Sequence, residues 1–142
     1  MPYLERNRAQ LPPPSAQRVH IVQGDARTQL QEFNGTLDVI AANPPYIPGD
    51  MKPKDPEVEL FDPQLALYGL GPDGLEVPRG IVAAAARLLR PGGFFVMEHG
   101  GPQGEQVRAI VKDTGAFTDI QTHQDLNGWD RYVTATLAPA PH

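Results

Sequence analysis

Leu37-Asp38-Val39-Ile40-Ala41-Ala42-Asn43-Pro44-Pro45-Tyr46 is the stretch on which the reading of this chain turns. A nearly continuous apolar run ends abruptly in an asparagine and two prolines. Such a run suits a strand buried on both faces of a parallel sheet. Pro44 and Pro45 have no N–H, hold φ at about −65° and push the residue before each toward extended geometry. The segment therefore offers two hydrogen-bond acceptors, Asn43 Oδ1 and the Pro44 carbonyl, in a stiff frame without competing backbone donors. An amide or exocyclic amino nitrogen carries two hydrogens, so two fixed acceptors can hold it and aim its face at an electrophile. Tyr46 adds a flat surface for a planar amide or base. Positioning of this kind needs no strong base, because the nitrogen can lose its proton after transfer. A plain proline-rich turn after a strand is the alternative reading of the same residues.

Working outward, Val19-His20-Ile21-Val22-Gln23 is β-branched and ends at Gly24-Asp25, which predicts a strand upstream of the first run. Before it, residues 3–8 read as the last turns of a helix that the prolines at 12–14 break. Residues 47–78 are loop-like and rich in proline, and loops of that length are usually functional or disordered. Ile81, Val82, Ala85, Leu88 and Leu89 share one face of a helix over residues 75–89, which Arg90-Pro91-Gly92-Gly93 should stop. Phe94-Phe95-Val96-Met97-Glu98 is a third strand. Residues 105–114 form a second helix with Val107, Ile110 and Val111 inward and Gly115 capping its end. Residues 117–122 and 131–137 are two closing strands, joined by a turn-rich segment, that should lie antiparallel at one sheet edge. The alternation is that of an α/β fold, a mostly parallel sheet with an antiparallel strand at its C-terminal edge and flanking helices. Ligands in open α/β sheets bind beyond the carboxyl ends of the strands, where Asp25, Asn43 and Glu98-His99 fall. Taken singly, each of these could equally be a cap or turn former.

Composition narrows the classes. A length of 142 residues fits one domain, and 40% hydrophobic with 20% charged residues is a globular balance. A net charge of −5 argues against a protein that holds nucleic acid by its own positive field. No cysteine is present, which excludes a disulfide framework and thiolate metal sites. His20, His99, His123 and His142 are scattered without ligand spacing, so no metal site is expected. No apolar run reaches the roughly 18 residues of a membrane span, and the first residues lack a signal peptide's apolar core. The expectation is a cytoplasmic domain with no membrane contact.

Several further segments stand in order around the asparagine and prolines. Asn43-Pro44-Pro45-Tyr46-Ile47-Pro48 is followed by Phe61-Asp62-Pro63 with Ala66-Leu67, then Asp73-Gly74-Leu75, Leu89-Arg90-Pro91-Gly92-Gly93, Glu98-His99-Gly100, Gln103-Gly104-Glu105 and Asp130-Arg131. The set, running from Val19 to Leu137, resembles the HemK/PrmC family of release factor glutamine methyltransferases. Asn-Pro-Pro-Tyr alone is similar to a motif of many S-adenosylmethionine-dependent amino-methyltransferases with a Rossmann-like class I fold. The resemblance implies methyl transfer from S-adenosyl-L-methionine to the side-chain amide of a glutamine in the Gly-Gly-Gln loop of class 1 peptide chain release factors. It implies that Asn43 and the Pro44 carbonyl hold the amide while Pro45 and Tyr46 shape its slot. Asp25 and Ala26, with Asn43, would lie beside the cofactor. Many relatives carry an aromatic residue where Ala26 stands.

One departure accompanies the resemblance. Class I methyltransferases hold the methionine part of the cofactor on a Gly-rich loop after their first strand. No strand followed by Gly-x-Gly precedes Val19. Residues 1–18 are therefore expected to be the end of a helix from a truncated first half, residues 19–137 the C-terminal part of the methyltransferase domain, and residues 138–142 a tail. Strands without their usual neighbours invite self-association through an exposed edge. Two rival expectations are an adenine-N6 or other nucleic-acid methyltransferase acting on a flipped base, and a non-catalytic interaction module.

Overall fold

The alternation of apolar residues becomes a sheet with helices on one side. The structure, a computed structural model, describes residues 2–53, 57 and 62–139. In chain order the helices are α1 (Pro2–Ala9), α2 (Pro13–Ala16), α3 (Gln64–Leu67), α4 (Glu76–Leu88) and α5 (Gly104–Asp113). The strands are β1 (Leu37–Ala42), β2 (Leu89–Glu98), β3 (Phe117–Gln124) and β4 (Asp130–Leu137). They form one four-stranded sheet in the order β1-β2-β4-β3. β1 runs parallel to β2, and β4 is antiparallel to both of its neighbours, so the reversed strand sits one place in from the β3 edge.

The register sorts the side chains between two faces. Ile40 lies opposite Phe95 and Ala42 opposite Met97, and on the far side Phe95 faces Ala135 and Met97 faces Val133. These join Ile81, Val82 and Ala85 of α4 and Val107 and Val111 of α5 in one core, so both long helices pack on this face. The helical faces expected from the spacing are the ones buried. Gly115, at φ +65°, follows α5 in the left-handed conformation that closes helices, with its N–H donating to the Lys112 carbonyl at 3.0 Å.

Three expectations need correction. Residues 19–23 take no strand conformation. A strand is made by the ladder it shares, and among the described residues no strand lies beside this one, the sheet ending at β1. β1 is not buried on both faces either, since Val39 is 59% exposed. Finally, Arg90-Pro91-Gly92-Gly93 ends no helix. α4 stops at Leu88, Leu89 is already extended, and β2 begins with no connecting loop. Residues 90–93 form a bulge between the Leu37–Leu89 and Val39–Phe94 pairs, with Gly92 at φ +77°. Arg90 Nε meets Asp38 Oδ1 across the bulge at 2.6 Å, an exposed pair worth little by itself.

Around this frame, α1 forms where a helix was expected, while Pro12 serves as the cap of the short α2 rather than a simple break. Neither buries a residue. The 47–78 loop holds α3 and a short parallel bridge between Ile47 and Tyr68. Phe61, one of the ordered segments' residues, lies outside the described residues.

Candidate functional site

β1 and β2 deliver their last residues to the same end of the sheet. Asn43 follows β1 directly and is exposed, Pro44 is buried, and Pro45 and Tyr46 are half-buried. Glu98 ends β2 and pairs in register with Tyr132, beside Arg131 near the start of β4. An open cleft of about 600 Å³ lies here, lined by Ala41, Asn43, Val96, Glu98, Arg131 and Tyr132 among others. Three strand ends thus meet at one concavity, two of them carboxyl ends, as the placement rule for open sheets requires.

Two of the polar groups of the cleft, Arg131 and Asp125, are paired. Arg131 Nε donates to Asp125 Oδ2 at 2.9 Å. Asp125 also accepts from the backbone N–H groups of Asn127 at 2.8 Å and Trp129 at 3.0 Å, which tightens the β3–β4 turn. Arg131 first, then these N–H groups, hold the Asp125 carboxyl below its ordinary range. Burial pushes the Tyr46 phenol up, helped by the charge and hydrogen bonding of Glu98 and opposed by Arg131. Tyr46 is therefore neutral across the physiological range and offers a ring and a hydroxyl, not a phenolate.

The Asn43–Tyr46 turn is fixed from behind by backbone. Ile47 N–H donates to Leu67 O at 2.9 Å, Gly69 N–H to Ile47 O at 3.1 Å, and Val77 N–H to Gly69 O at 2.8 Å. A Cβ on Gly69 would overlap the Gly74 and Pro45 carbonyls, and one on Gly74 would overlap Tyr46 O. These glycines are there for close approach. Asp73 anchors the same segment to α4, accepting from Leu75 N–H at 3.0 Å and pairing with Arg79 at 2.6 Å. Arg79, then the Leu75 N–H, bring its carboxyl down to about 2.

Asp25 and Ala26, the other sequence candidates, are exposed in a turn. Both Asp25 oxygens are taken by Arg27, at 2.7–3.0 Å, which lowers the carboxyl to about 2. The Arg27 stem lies against Gly80 of α4, and residues further along are tied to the same helix by Arg87, which donates to the Gln29 carbonyl and Asn34 side chain. The structure thus brings Asn43 through Tyr46 together with Glu98, and sets Asp25–Ala26 against α4 outside the residues lining the cleft.

His99, flagged with Glu98 at the strand end, is fully buried, with Nδ1 donating to Gly100 O at 2.9 Å. It packs the backbone and offers nothing to solvent. Arg131 and Asp125 were legible only as parts of a turn-rich segment and an ordered pattern. Their meeting with Glu98 depends on β4 lying beside β2, which residue spacing does not disclose. No described helix is long and apolar enough to cross a membrane.

No family model matches the chain. Curated relatives do. A release factor glutamine methyltransferase of Bifidobacterium longum is 43% identical over 125 residues, 87% of this chain and 42% of the relative. One from Mycobacterium tuberculosis is 42% identical over 135 residues, 94% of this chain and 42% of the relative. A 4-amino-L-phenylalanine/4-methylamino-L-phenylalanine methyltransferase of Streptomyces pristinaespiralis is 43% identical over 84% of this chain and 41% of its own length. The chain spans about two fifths of the length of these relatives. Among solved structures, a DNA modification methylase assignment from Thermus thermophilus, complexed with S-adenosyl-L-methionine, superposes with a TM-score of 0.51 at 19% identity, covering 84% of this chain and 55% of that one. The antibiotic-resistance methyltransferase Kmr gives 0.51 at 15% identity over 94% of this chain and 66% of its own. These two likenesses speak to the fold: the α/β sheet is that of class I methyltransferases.

Proposed function

We propose, from the premise that this chain belongs to the HemK/PrmC family of release factor glutamine methyltransferases, that it carries the acceptor-holding part of such an enzyme. The single observation that carries the reading is the Asn43–Tyr46 turn, exposed at Asn43, backed by fixed backbone and opening on a cleft. In this reading residues 19–137 are the C-terminal part of the methyltransferase domain, working on class 1 release factors in the cytoplasm.

The chemistry follows from the acceptor. A glutamine amide is a poor nucleophile, because its nitrogen lone pair is delocalised into the carbonyl. Asn43 Oδ1 and the Pro44 carbonyl each accept one N–H, which turns the amide's face outward and adds electron density at nitrogen. Pro45 and Tyr46 bound the slot, and Tyr46 stays neutral. No residue need act as a strong base, since the nitrogen sheds its proton once methylated.

S-adenosyl-L-methionine, when bound, supplies an electrophilic methyl group. Of the residues named for that group, Asn43 fits, exposed beside the cleft, whereas Asp25–Ala26 lies outside the cleft lining with both Asp25 oxygens held by Arg27 and does not. The Gly-rich loop that holds the methionine part in this fold class has no counterpart before Val19 in this sequence.

Incubation of the chain with methyl-labelled cofactor and a release factor tests the reading. Label on the Gly-Gly-Gln glutamine, lost roughly 10²-fold or more in Asn43→Ala, is the expected outcome. Transfer to duplex or single-stranded DNA instead would replace it with the nucleic-acid reading. Transfer to neither acceptor, alone or with the first half of a relative's catalytic domain added, would favour a non-catalytic module.

A further inference from the structure

We infer that Gln103 is a positioning residue for the Asn43–Tyr46 turn, the brace that sets the angle of the peptide following Tyr46 and so the acceptor geometry upstream of it. The inference rests on the acceptor-holding role proposed above.

Gln103 is nearly buried, and its amide is used from both ends. Nε2 donates to Tyr46 O at 2.8 Å and to Asp73 O at 3.0 Å, while Oε1 accepts from Gly100 N–H at 3.1 Å. Three chain segments far apart in sequence meet on one side chain. The two carbonyls belong to peptide planes whose nitrogens are also held. The N–H of the Tyr46–Ile47 peptide donates to Leu67 O at 2.9 Å, and that of the Asp73–Gly74 peptide to Gly71 O at 3.4 Å. A planar peptide gripped at both its oxygen and its nitrogen cannot rotate about its flanking bonds. The Tyr46–Ile47 plane is the second after the two prolines, separated from Pro44 O only by the Pro45–Tyr46 peptide, so holding it limits the directions in which Pro44 O and Asn43 present themselves.

A simpler role exists for half of this side chain. Gln103 sits at the third position of the short helical turn Gly101–Gln103, where a Gln or Glu oxygen commonly caps the preceding N–H. Capping uses Oε1 alone. The two donated bonds are additional, and glutamate cannot make them when ionised. Gln103→Glu therefore separates the roles: it keeps the cap and removes the brace, whereas Gln103→Met removes both at similar volume.

Amide hydrogen exchange on the full chain reads the difference. In Gln103→Glu at neutral pH, protection at Ile47 and Gly69 should fall roughly tenfold, the scale of one lost buried hydrogen bond, with Met97, Val133 and Gly100 unchanged. As pH falls and the carboxyl regains a hydrogen, Ile47 protection should recover in Gln103→Glu and not in Gln103→Met. Unchanged protection at Ile47 would overturn the inference, as would an equal fall at Ile47, Met97 and Val133, which would mean support of the whole fold. In methyl transfer to glutamine, Gln103→Glu should lower kcat by a similar factor and leave the cofactor KM alone; a changed cofactor KM with unchanged kcat overturns it. Absence of transfer by the unaltered chain would sink the functional reading, while the exchange pattern still decides what Gln103 does.

Discussion

The two faces of the sheet are made from alternate residues of the same strands, and they meet opposite conditions. Phe95 and Met97 are 0% exposed beneath α4 and α5, while Phe94, one residue away, is 43% exposed and faces Val39 across the sheet. On the covered face the residues are Phe, Met, Val and Ala. On the other, Phe94 and Val96 are followed across β4 by Thr136 and Thr134, and then by Tyr132, which stacks on His123 at 4.8 Å. The stability of the described fold therefore comes from one side. The open side contributes chemistry at its carboxyl end and little packing elsewhere.

Replacing one aromatic from each face gives the largest test. Phe95→Ala removes a ring that also contacts Phe117 at 5.6 Å and should cost about 3–5 kcal/mol, read by denaturant unfolding. Phe94→Ala should cost about 1 kcal/mol, because nearly half of the residue is already in water. Equal costs would mean that something covers the open face.

Gly74→Ala comes next. At φ +71°, with Tyr46 O in the way of a new Cβ, it should cost about 1–3 kcal/mol. Its effect on methyl transfer should exceed that of any substitution at Gly115, which is also at positive φ but has nothing within 4 Å. That contrast separates close approach from backbone conformation.

A smaller effect is expected in acid. The Asp73 carboxyl lies at about 2 in the folded chain because of Arg79, below the roughly 3.9 of an unfolded aspartate. Its contribution is fully present above the unfolded value and is lost as pH falls through the folded one. Melting temperature should thus decline between about pH 4 and pH 2, and Asp73→Asn should flatten that decline while lowering the plateau at neutral pH.

The smallest change in stability should come from Val39→Thr, about 0.5 kcal/mol or less at a residue 59% exposed. It should nevertheless weaken concentration-dependent self-association in sedimentation velocity. A parent chain that sediments as a monomer at all concentrations would show that the open face is not adhesive.

The same contrast explains what could be read in the sequence. α4, α5 and the strands β1 to β4 announce themselves because their apolar spacing answers to a core that they build together. Residues 19–23 have the composition of a strand and failed as one, because composition cannot provide a neighbour. Val39 illustrates the same limit: an unbroken apolar run says that both faces can be buried, not that both are. At the site, Asn43 through Tyr46 were legible because proline constrains its own backbone. Gln103 was only a letter in a pattern, since its partners, Tyr46 and Asp73, lie 57 and 30 residues away. Long-range contacts to backbone carbonyls leave no mark on side-chain type at the receiving end.

The direct passage from α4 into β2 has a consequence for insertions and deletions. With no loop between Leu88 and Leu89, spare length in this part of the chain is confined to the bulge at residues 90–93. An extra residue between Pro91 and Gly92 enlarges a kink that is already out of register. The same residue placed after Val96 would exchange inside for outside over the rest of β2, sending Met97 to water and Glu98 into the core. A single inserted residue should therefore be tolerated at one short window of this strand and disrupt the cleft a few positions later.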